Sequence, residues 1–400
     1  MKSRKRSTEA TSVSPRKAAH RFGPTQKDIA DALGVSQSTV AFALSGTQQH
    51  KLLPETVARV KAKVKELGYR TQRHAMILRK GRSHTIGAVF RTGLYHASQE
   101  RVKFLAQEAI EAGYQLVALD LDWFGQDELA AQDYLLGAAV EGLILCNLVK
   151  NFSPSWEQFM SVRALPVVAL SSPIVGVNLT AGYVQADMQE AFRELTEEHL
   201  RLGSQRLSLL LPYHDAGNQY AGVAVMQRVN GFAEAVRAAG GEVITEKTDG
   251  QILGLPTRFS RKRRTLVGEV IYPVKTADFN NAFELGQFKA REMIQAGTLP
   301  ASLVCSNDQV ATGALSAAIE LGVDVPGKLL ISGADDAPFS PFCGVPLTTI
   351  QQPSREMARW SVQRIIEKIE NPELHLEGKI QTFPCKLIHR RSTARYAKIQ

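Results

Sequence analysis

Residues 24–82, PTQKDIADALGVSQSTVAFALSGTQQHKLLPETVARVKAKVKELGYRTQRHAMILRKGR, decide how this chain is read. Three short helical segments follow one another, and a basic connector closes the stretch. Thr25 stands where a first helix begins, with Asp28 three residues on in capping-box order. Ile29 and Leu33 give that helix a buried stripe, and Ala30 is small enough for a second helix to lie close. Gly34 ends it where a left-handed backbone is common and a Cβ is penalised. Ser36 is placed to cap a second helix running from Gln37 to Leu44. Val40, Ala43 and Leu44 face inward on it, which leaves Gln37, Ser38 and Phe42 outside. A third helix starts near Pro54, a good first-turn residue. It packs through Val57, Val60, Val64 and Leu67 and stops at Gly68. Ala30, Gly34 and Val40 have the spacing of a helix-turn-helix, a unit that lays its second helix in the major groove of DNA.

The charge distribution agrees. The chain has 400 residues and a net charge of +9, yet residues 1–83 alone carry +13 and the remainder −4. All the net positive charge lies on the segment with the motif, as phosphate binding requires. A solvated basic tail without a partner is the plainer alternative. Residues 1–22 are rich in Lys, Arg, Ser and Thr without an apolar period, which predicts a disordered tail. At 44% hydrophobic and 22% charged, the composition is that of a soluble globular protein. The length predicts two or three domains. No run of eighteen apolar residues offers a membrane span. The opening MKSRKRSTEATSVSPRK has charge but no apolar stretch behind it, unlike a secretory signal. Cys146, Cys305, Cys343 and Cys385 lack CxxC spacing and predict reduced thiols in a cytoplasmic protein.

After the three helices come KELGYR (65–70) and a basic segment ending LRKGRSHTIG (78–87). ADMQEAF, RVNGF, SNDQVATGAL, ISGADD, PLTTIQQP and LIHRRST follow in order to residue 393. Together these motifs resemble the lactose-repressor/galactose-repressor (LacI/GalR) family of bacterial transcription regulators over residues 24–395. The resemblance implies a helix-turn-helix at 23–70, with Thr25, Ser36, Gln37, Ser38, Thr39 and Phe42 at the operator. It also implies a hinge at 71–83 that enters the minor groove, with Arg73 and Ala75 at the DNA and Leu78 as its wedge. An apolar wedge partly unstacks a base step and kinks the duplex. Otherwise Leu78 is an exposed linker leucine or one covered by the core.

From Thr85 the pattern becomes alternating strand and helix. TIGAVF, QLVAL, GLILC and PVVAL form one set of apolar runs; RLSLLLP, LVCSN and LLISGA form a second. Helical stretches lie at 98–112, 127–137, 188–202, 228–239, 281–296 and 308–321, several closed by a glycine. Two parallel sheets with helices on both faces are predicted. No GxGxxG follows any strand, which argues against a dinucleotide enzyme. The family's equivalent is an α/β, two-lobed, periplasmic-binding-protein-like (type I) core over 84–395. Its first lobe would hold about 84–184 and 353–375, its second about 185–352 and 376–395.

Ligands of open parallel sheets bind beyond the carboxyl ends of the strands. Arg91, Asp120, Asn147, Ser171, Asn307 with Asp308, and Asp335 with Asp336 follow strands in this way. The resemblance implies an effector site there, drawn from Tyr95, Ser171, Arg228, Phe283, Asn307 and Asp335. Arg228 offers a planar fork for paired hydroxyls or a carboxylate. Asp308 is either a cleft residue or the cap of the next helix, and Phe283 either stacks on the effector or belongs to the core. Four departures stand out. Phe42 stands where many members have arginine, Ser171 replaces an aspartate used for sugar in some relatives, Gly203-Ser204 replaces Gly-His, and 250–275 looks long. That insert, with RKRR at 261–264, reads as an exposed loop or hairpin, or as a second phosphate contact.

The expectation is a cytoplasmic, nucleoid-associated repressor that acts as a homodimer on a pseudo-palindromic operator under a sugar-like effector. It has no catalytic residue, metal, cofactor or membrane partner. The alternative is a carbohydrate-binding protein or sugar-active enzyme on the same core.

Overall fold

The computed structural model describes residues 24–44, 48–69, 81–90, 96–125, 127–146, 153–171, 180–212, 222–245, 255, 266–272 and 281–394. The chain divides into two units, Met1–Ser83 and His84–Gln400.

In the first unit α1 (Gln26–Leu33), α2 (Gln37–Leu44) and α3 (Pro54–Leu67) close around Ile29, Ala30, Val40, Ala43 and Val60, all buried. The capping box is formed: the Asp28 amide donates to Thr25 Oγ1 at 3.3 Å and the Thr25 amide to Asp28 Oδ2 at 2.7 Å. Gly34 adopts φ 65° and ψ 33°, and its amide bonds back to the Ala30 carbonyl. That left-handed turn is what lets α2 start at once in a new direction. The Thr39 amide donates to Ser36 Oγ at 3.0 Å, which caps α2. At the end of α3 the expected core residue Leu67 is 37% exposed. Tyr69 takes its place against the cluster, with its amide on the Val64 carbonyl at 3.0 Å. The tail at 1–22 and the hinge residues Arg73, Ala75 and Leu78 lie outside the described residues.

The second unit is built on two parallel sheets. The first collects β1 (Thr85–Phe90), β2 (Gln115–Asp120), β3 (Gly142–Cys146), β4 (Val167–Leu170) and β5 (Tyr183–Ala186). The helices α4 (His96–Glu111), α5 (Leu121–Phe124), α6 (Glu128–Gly137) and α7 (Pro154–Val162) are interleaved with them. The second sheet collects β6 (Arg206–Leu210), β7 (Glu242–Thr245), β8 (Val267–Ile271), β9 (Ser302–Cys305) and β10 (Leu330–Ser332). Around it lie α8 (Met188–Arg201), α9 (Val223–Ala238), α10 (Ala282–Gln295) and α11 (Asp308–Glu320). The chain ends with β11 (Thr349–Gln351), α12 (Ser354–Glu370), β12 (Ile380–Phe383) and β13 (Lys386–Ile388). The sheet orders are β12-β5-β4-β3-β1-β2 and β10-β9-β6-β8-β7, with β11 and β13 as a separate antiparallel pair. Helices cover both faces of each sheet, so strands such as GLILC are apolar without alternation.

Two boundaries differ from the sequence reading. The segment 380–383, expected in the second lobe, pairs in parallel with Tyr183–Ala186 at the edge of the first sheet. Pro384 follows it and cannot donate to a ladder, so the chain leaves that sheet there rather than near 376. The first crossing likewise follows Ala186, at the Asp187 cap of α8. The long insert at 250–275 is also not all loop. Its end, VGEVI at 267–271, is a strand between β6 and β7. Gly268 hides this in the sequence, and its missing Cβ leaves room for Phe232 and Val236 at 2.9 Å. RKRR at 261–264 lies outside the described residues.

Helices α4 and α12 are tied together by Glu108. Its carboxylate, 6% exposed, accepts from Arg355 Nε and Arg359 Nε, both at 3.0 Å. Burial pushes this carboxyl up, but the bonds from Arg359 and Arg355 outweigh burial and hold it below its ordinary value. A depressed acid contributes stability that is complete above its unfolded value and lost as pH falls through its folded one. Thermal unfolding from pH 7 to 3 should therefore show Glu108→Gln losing less stability on acidification than wild type. Parallel curves for the two proteins would deny the pair this role.

Candidate functional site

Both sheets end in the same region. Arg228, on α9, donates from Nε to the Ser306 carbonyl at 3.1 Å and from Nη1 to the Ala224 carbonyl at 2.6 Å. Its guanidinium lies over the Phe192 ring, 5.6 Å from the centroid. Asp335 follows β10 and adopts φ 108°, with Asp336 next at φ 48°. Two successive non-glycine residues at positive φ are costly and hold only where the surroundings fix them. Here the Asp335 amide donates to the Ile350 carbonyl at 2.7 Å. Asp336 is clamped by Arg390 Nη2 at 2.6 Å and Gln351 Nε2 at 2.9 Å. The two carboxylates are thus committed to different partners, Asp335 to Gln352 and Asp336 to Arg390 and Gln351.

Asn307 and Asp308 divide their roles in a way the sequence left open. Asn307 Oδ1 accepts the Val310 amide at 2.9 Å, so Asn307 is the cap of α11. Asp308 instead accepts the Ala337 amide at 2.8 Å, Ser340 Oγ at 2.6 Å and Thr349 Oγ1 at 2.6 Å. It pins the loop that presents Asp335. Burial, then the nearby Asp335, push the Asp308 carboxyl up to about 7 against these three hydrogen bonds. Phe283, at the start of α10, packs against Phe339 with ring centroids 5.4 Å apart. Tyr95, Arg91 and Asn147 lie outside the described residues, and Asp120 caps α5.

The sequence reading missed Arg101 and Gln352. Arg101 Nη2 donates to Gln352 Oε1 at 2.7 Å, and Gln352 Nε2 donates to Asp335 Oδ1 at 2.6 Å. This relay runs from a helix of the first lobe, through the segment after β11 that crosses between the lobes, to the second lobe. Asp335 is raised by burial, with Arg228 and then Arg101 opposing that rise. Polar atoms are left over: Arg101 Nε and Nη1, Ser171 Oγ at the end of β4, and Ser306 Oγ beyond β9 are buried without a hydrogen-bond partner. Such orphans are uncommon in folded proteins and mark a place where a partner belongs. A cavity of about 350 Å³ is lined by Glu100, Phe104, Asp335, Asp336, Gln352 and Lys386, so the relay reaches it through Gln352 and Asp335. A larger hollow of about 900 Å³ lies at the opposite strand ends, near Glu141, Pro166 and Thr180. Asp335 and Gln352 of the relay line the smaller cavity and no residue of the relay lines the larger one, so the smaller cavity is the better candidate.

In the first unit the outer face of α2 presents Gln37 and Ser38 to solvent, with Phe42 half-buried beside them. Lys51 Nζ lies 5.5 Å from the Phe42 ring centroid, so a cation accompanies the aromatic on that face.

A two-lobed ligand-binding core on the same chain as a basic helix-turn-helix defines a class: transcription regulators that answer to a small molecule. Comparison with known proteins is specific. Residues 83–253 match the model of periplasmic binding proteins and the sugar-binding domain of the LacI family, and residues 200–393 match a periplasmic-binding-protein-like domain. The ribose operon repressor of Escherichia coli K12 is 24% identical over 90% of this chain and 97% of its own length. The transcriptional repressor CytR of the same organism is 26% identical over 92% and 96%. A lac repressor dimer bound to operator and the anti-inducer ONPF superposes with a TM-score of 0.68 at 21% identity, covering 93% of this chain and all of that one. A complex of the regulator CelR with cellobiose gives 0.58 at 23% identity over 92% and 99%. The chain belongs to the LacI/GalR family of transcriptional regulators.

Proposed function

We propose that this protein represses transcription by reading operator DNA through α2, under control of a carbohydrate-like effector held between its two lobes. One observation carries the reading. A segment of charge +13 bearing a recognition helix is continuous with a core in which Arg101, Gln352 and Asp335 form a buried polar relay close to Arg228. The DNA contacts fall to Thr25, Ser36, Gln37, Ser38, Thr39 and Phe42, and to Arg73, Ala75 and Leu78 of the hinge. With Phe42 on the reading face, contact with a thymine methyl replaces a charged base contact. The effector contacts fall to Arg228 and Asp335, with Ser171, Asn307, Phe283 and Tyr95 around them.

The working unit is a homodimer on a pseudo-palindromic operator in the cytoplasm, associated with the nucleoid. Each α2 takes one half-site. Trp123 and Phe342, 83% and 86% exposed, are large apolar side chains that an isolated chain would leave in water. The cleft carries no chemistry of its own. Asp335 and Asp336 diverge, so they do not form the facing carboxylates of a glycoside hydrolase.

Full-length protein on a labelled palindromic fragment from upstream of its own gene tests the reading. Affinity should fall by about 10³-fold between 50 and 200 mM salt, as release of several phosphate counterions demands. Equal affinity for a scrambled duplex, or a flat salt response, would remove the DNA-reading role.

A further inference from the structure

We infer that the cleft is built for an anionic effector, a sugar bearing one carboxylate or phosphate group, and that Arg101 is the residue that receives the anion. The inference rests on the effector reading of the cleft and narrows it.

The argument begins with the position of Arg101. On α4 it lies in line with Ala97, four residues before it, and with Leu105, four residues after it. The three are 6%, 3% and 0% exposed. This is the buried stripe of the helix, where an apolar residue belongs. A guanidinium there has lost its water, and burial pulls it below its ordinary basicity. Only Nη2 is used, on the neutral oxygen of Gln352. Nε and Nη1 have no acceptor. Among the described residues no carboxylate bonds Arg101 directly: Asp335 is reached through Gln352, and the adjacent Glu100 accepts from Ser354 Oγ at 2.8 Å, so both support the charge only from a distance and burial outweighs them. Arg228 lies close enough on the other lobe to add its own positive charge against Arg101.

A neutral sugar does not balance this arrangement. Its hydroxyls can accept from Nε and Nη1, but they add no counter-charge to a desolvated guanidinium that Asp335 and Glu100 support only from a distance. A carboxylate or phosphate supplies both acceptors and counter-charge to a guanidinium fork. Asp335, an acceptor, then takes the hydroxyl end of the same molecule. The orphaned Ser171 Oγ and Ser306 Oγ can serve either end.

The test is a thermal-shift and calorimetric panel on full-length protein with three matched sets: neutral hexoses, the corresponding uronic and aldonic acids, and hexose phosphates. Wild type should be stabilised by the acids or the phosphates and not by their neutral counterparts. Whichever set binds identifies the anion as carboxylate or phosphate. Arg101→Gln, which keeps a donor for Gln352, should weaken that ligand by about 100-fold. The unliganded variant should melt no lower than wild type, because a buried charge without a directly bonded counter-ion has been removed. A lower melting temperature would mark Arg101 as a structural residue and overturn the proposal. So would neutral hexoses binding as tightly as the acids, ligand affinity unchanged in Arg101→Gln, or a panel without any acid-specific shift. The effector reading of the cleft is judged apart from these, by whether a metabolite extract that alters operator binding of wild type also alters that of Arg228→Ala.

Discussion

Arg228→Ala is expected to bind operator within a few-fold of wild type and to ignore the effector. The two halves of this result come from separate parts of the chain. The DNA-reading surface belongs to the unit Met1–Ser83, whereas Arg228 lies in the unit His84–Gln400. Truncation removes a guanidinium fixed on the carbonyls of Ser306 and Ala224, and with it the charge-assisted bonds to the ligand. Loss of one partner from a buried charged pair costs about 2–5 kcal/mol, enough to weaken binding by at least 30-fold. An effector shifts a two-state equilibrium only by its differential affinity for the states. A conformational shift from 1:99 to 99:1 needs about 5.5 kcal/mol, so a loss of this size uncouples the site from the DNA. Fluorescence anisotropy of the operator fragment, titrated with the extract or compound that acts on wild type, measures both halves together. If the variant responds at the wild-type concentration, Arg228 is not an effector ligand.

The family signature and the local rules of helix capping made much of this architecture legible. Thr25, Gly34, Ser36 and Gly68 do what their residue types predict, because each acts on neighbours within a few residues. The αβ alternation follows from the apolar runs, whereas Arg228 and Asp335 are singled out by the family resemblance alone. What the sequence hid depends on long-range pairing. VGEVI and IQTF are short, and a glycine or a polar residue interrupts each, so nothing local distinguishes them from loop. Asn307 and Asp308 are adjacent and similar, and only the fold shows which one caps a helix and which holds the loop of Asp335. Arg101 left one trace that could have been read. A charge in the stripe formed by Ala97, Leu105 and Ala109 is out of place on an amphipathic helix.

The glycines inside RVNGF and SNDQVATGAL are a further case, since the motif shows that they matter without showing why. Gly313→Ala should lower the melting temperature of the core by about 5–10 °C. A Cβ at Gly313 on α11 would lie 2.0 Å from the Phe283 carbonyl oxygen and 2.8 Å from the Gln287 amide on α10. The contact is reciprocal, because a Cβ at Gly286 would lie 2.1 Å from the Val310 carbonyl oxygen. Backbone meets backbone at this crossing, so no side chain can rotate out of the way. Alanine gains about 1 kcal/mol over glycine in helix propensity. Overpacking of a tight core costs about 1–3 kcal/mol and more where backbone must move, so the clash wins. Gly137 on α6 supplies the control: it has no positive φ, and a Cβ there meets nothing within 4 Å. Gly137→Ala should therefore be neutral or slightly stabilising. The displaced helices carry Phe283, Asn307 and Asp308 at their starts, so Gly313→Ala should also weaken the effector while Gly137→Ala leaves it alone. Equal melting temperatures for the two variants would mean that α10 and α11 can separate freely, and the close crossing would then not be what fixes this side of the cleft.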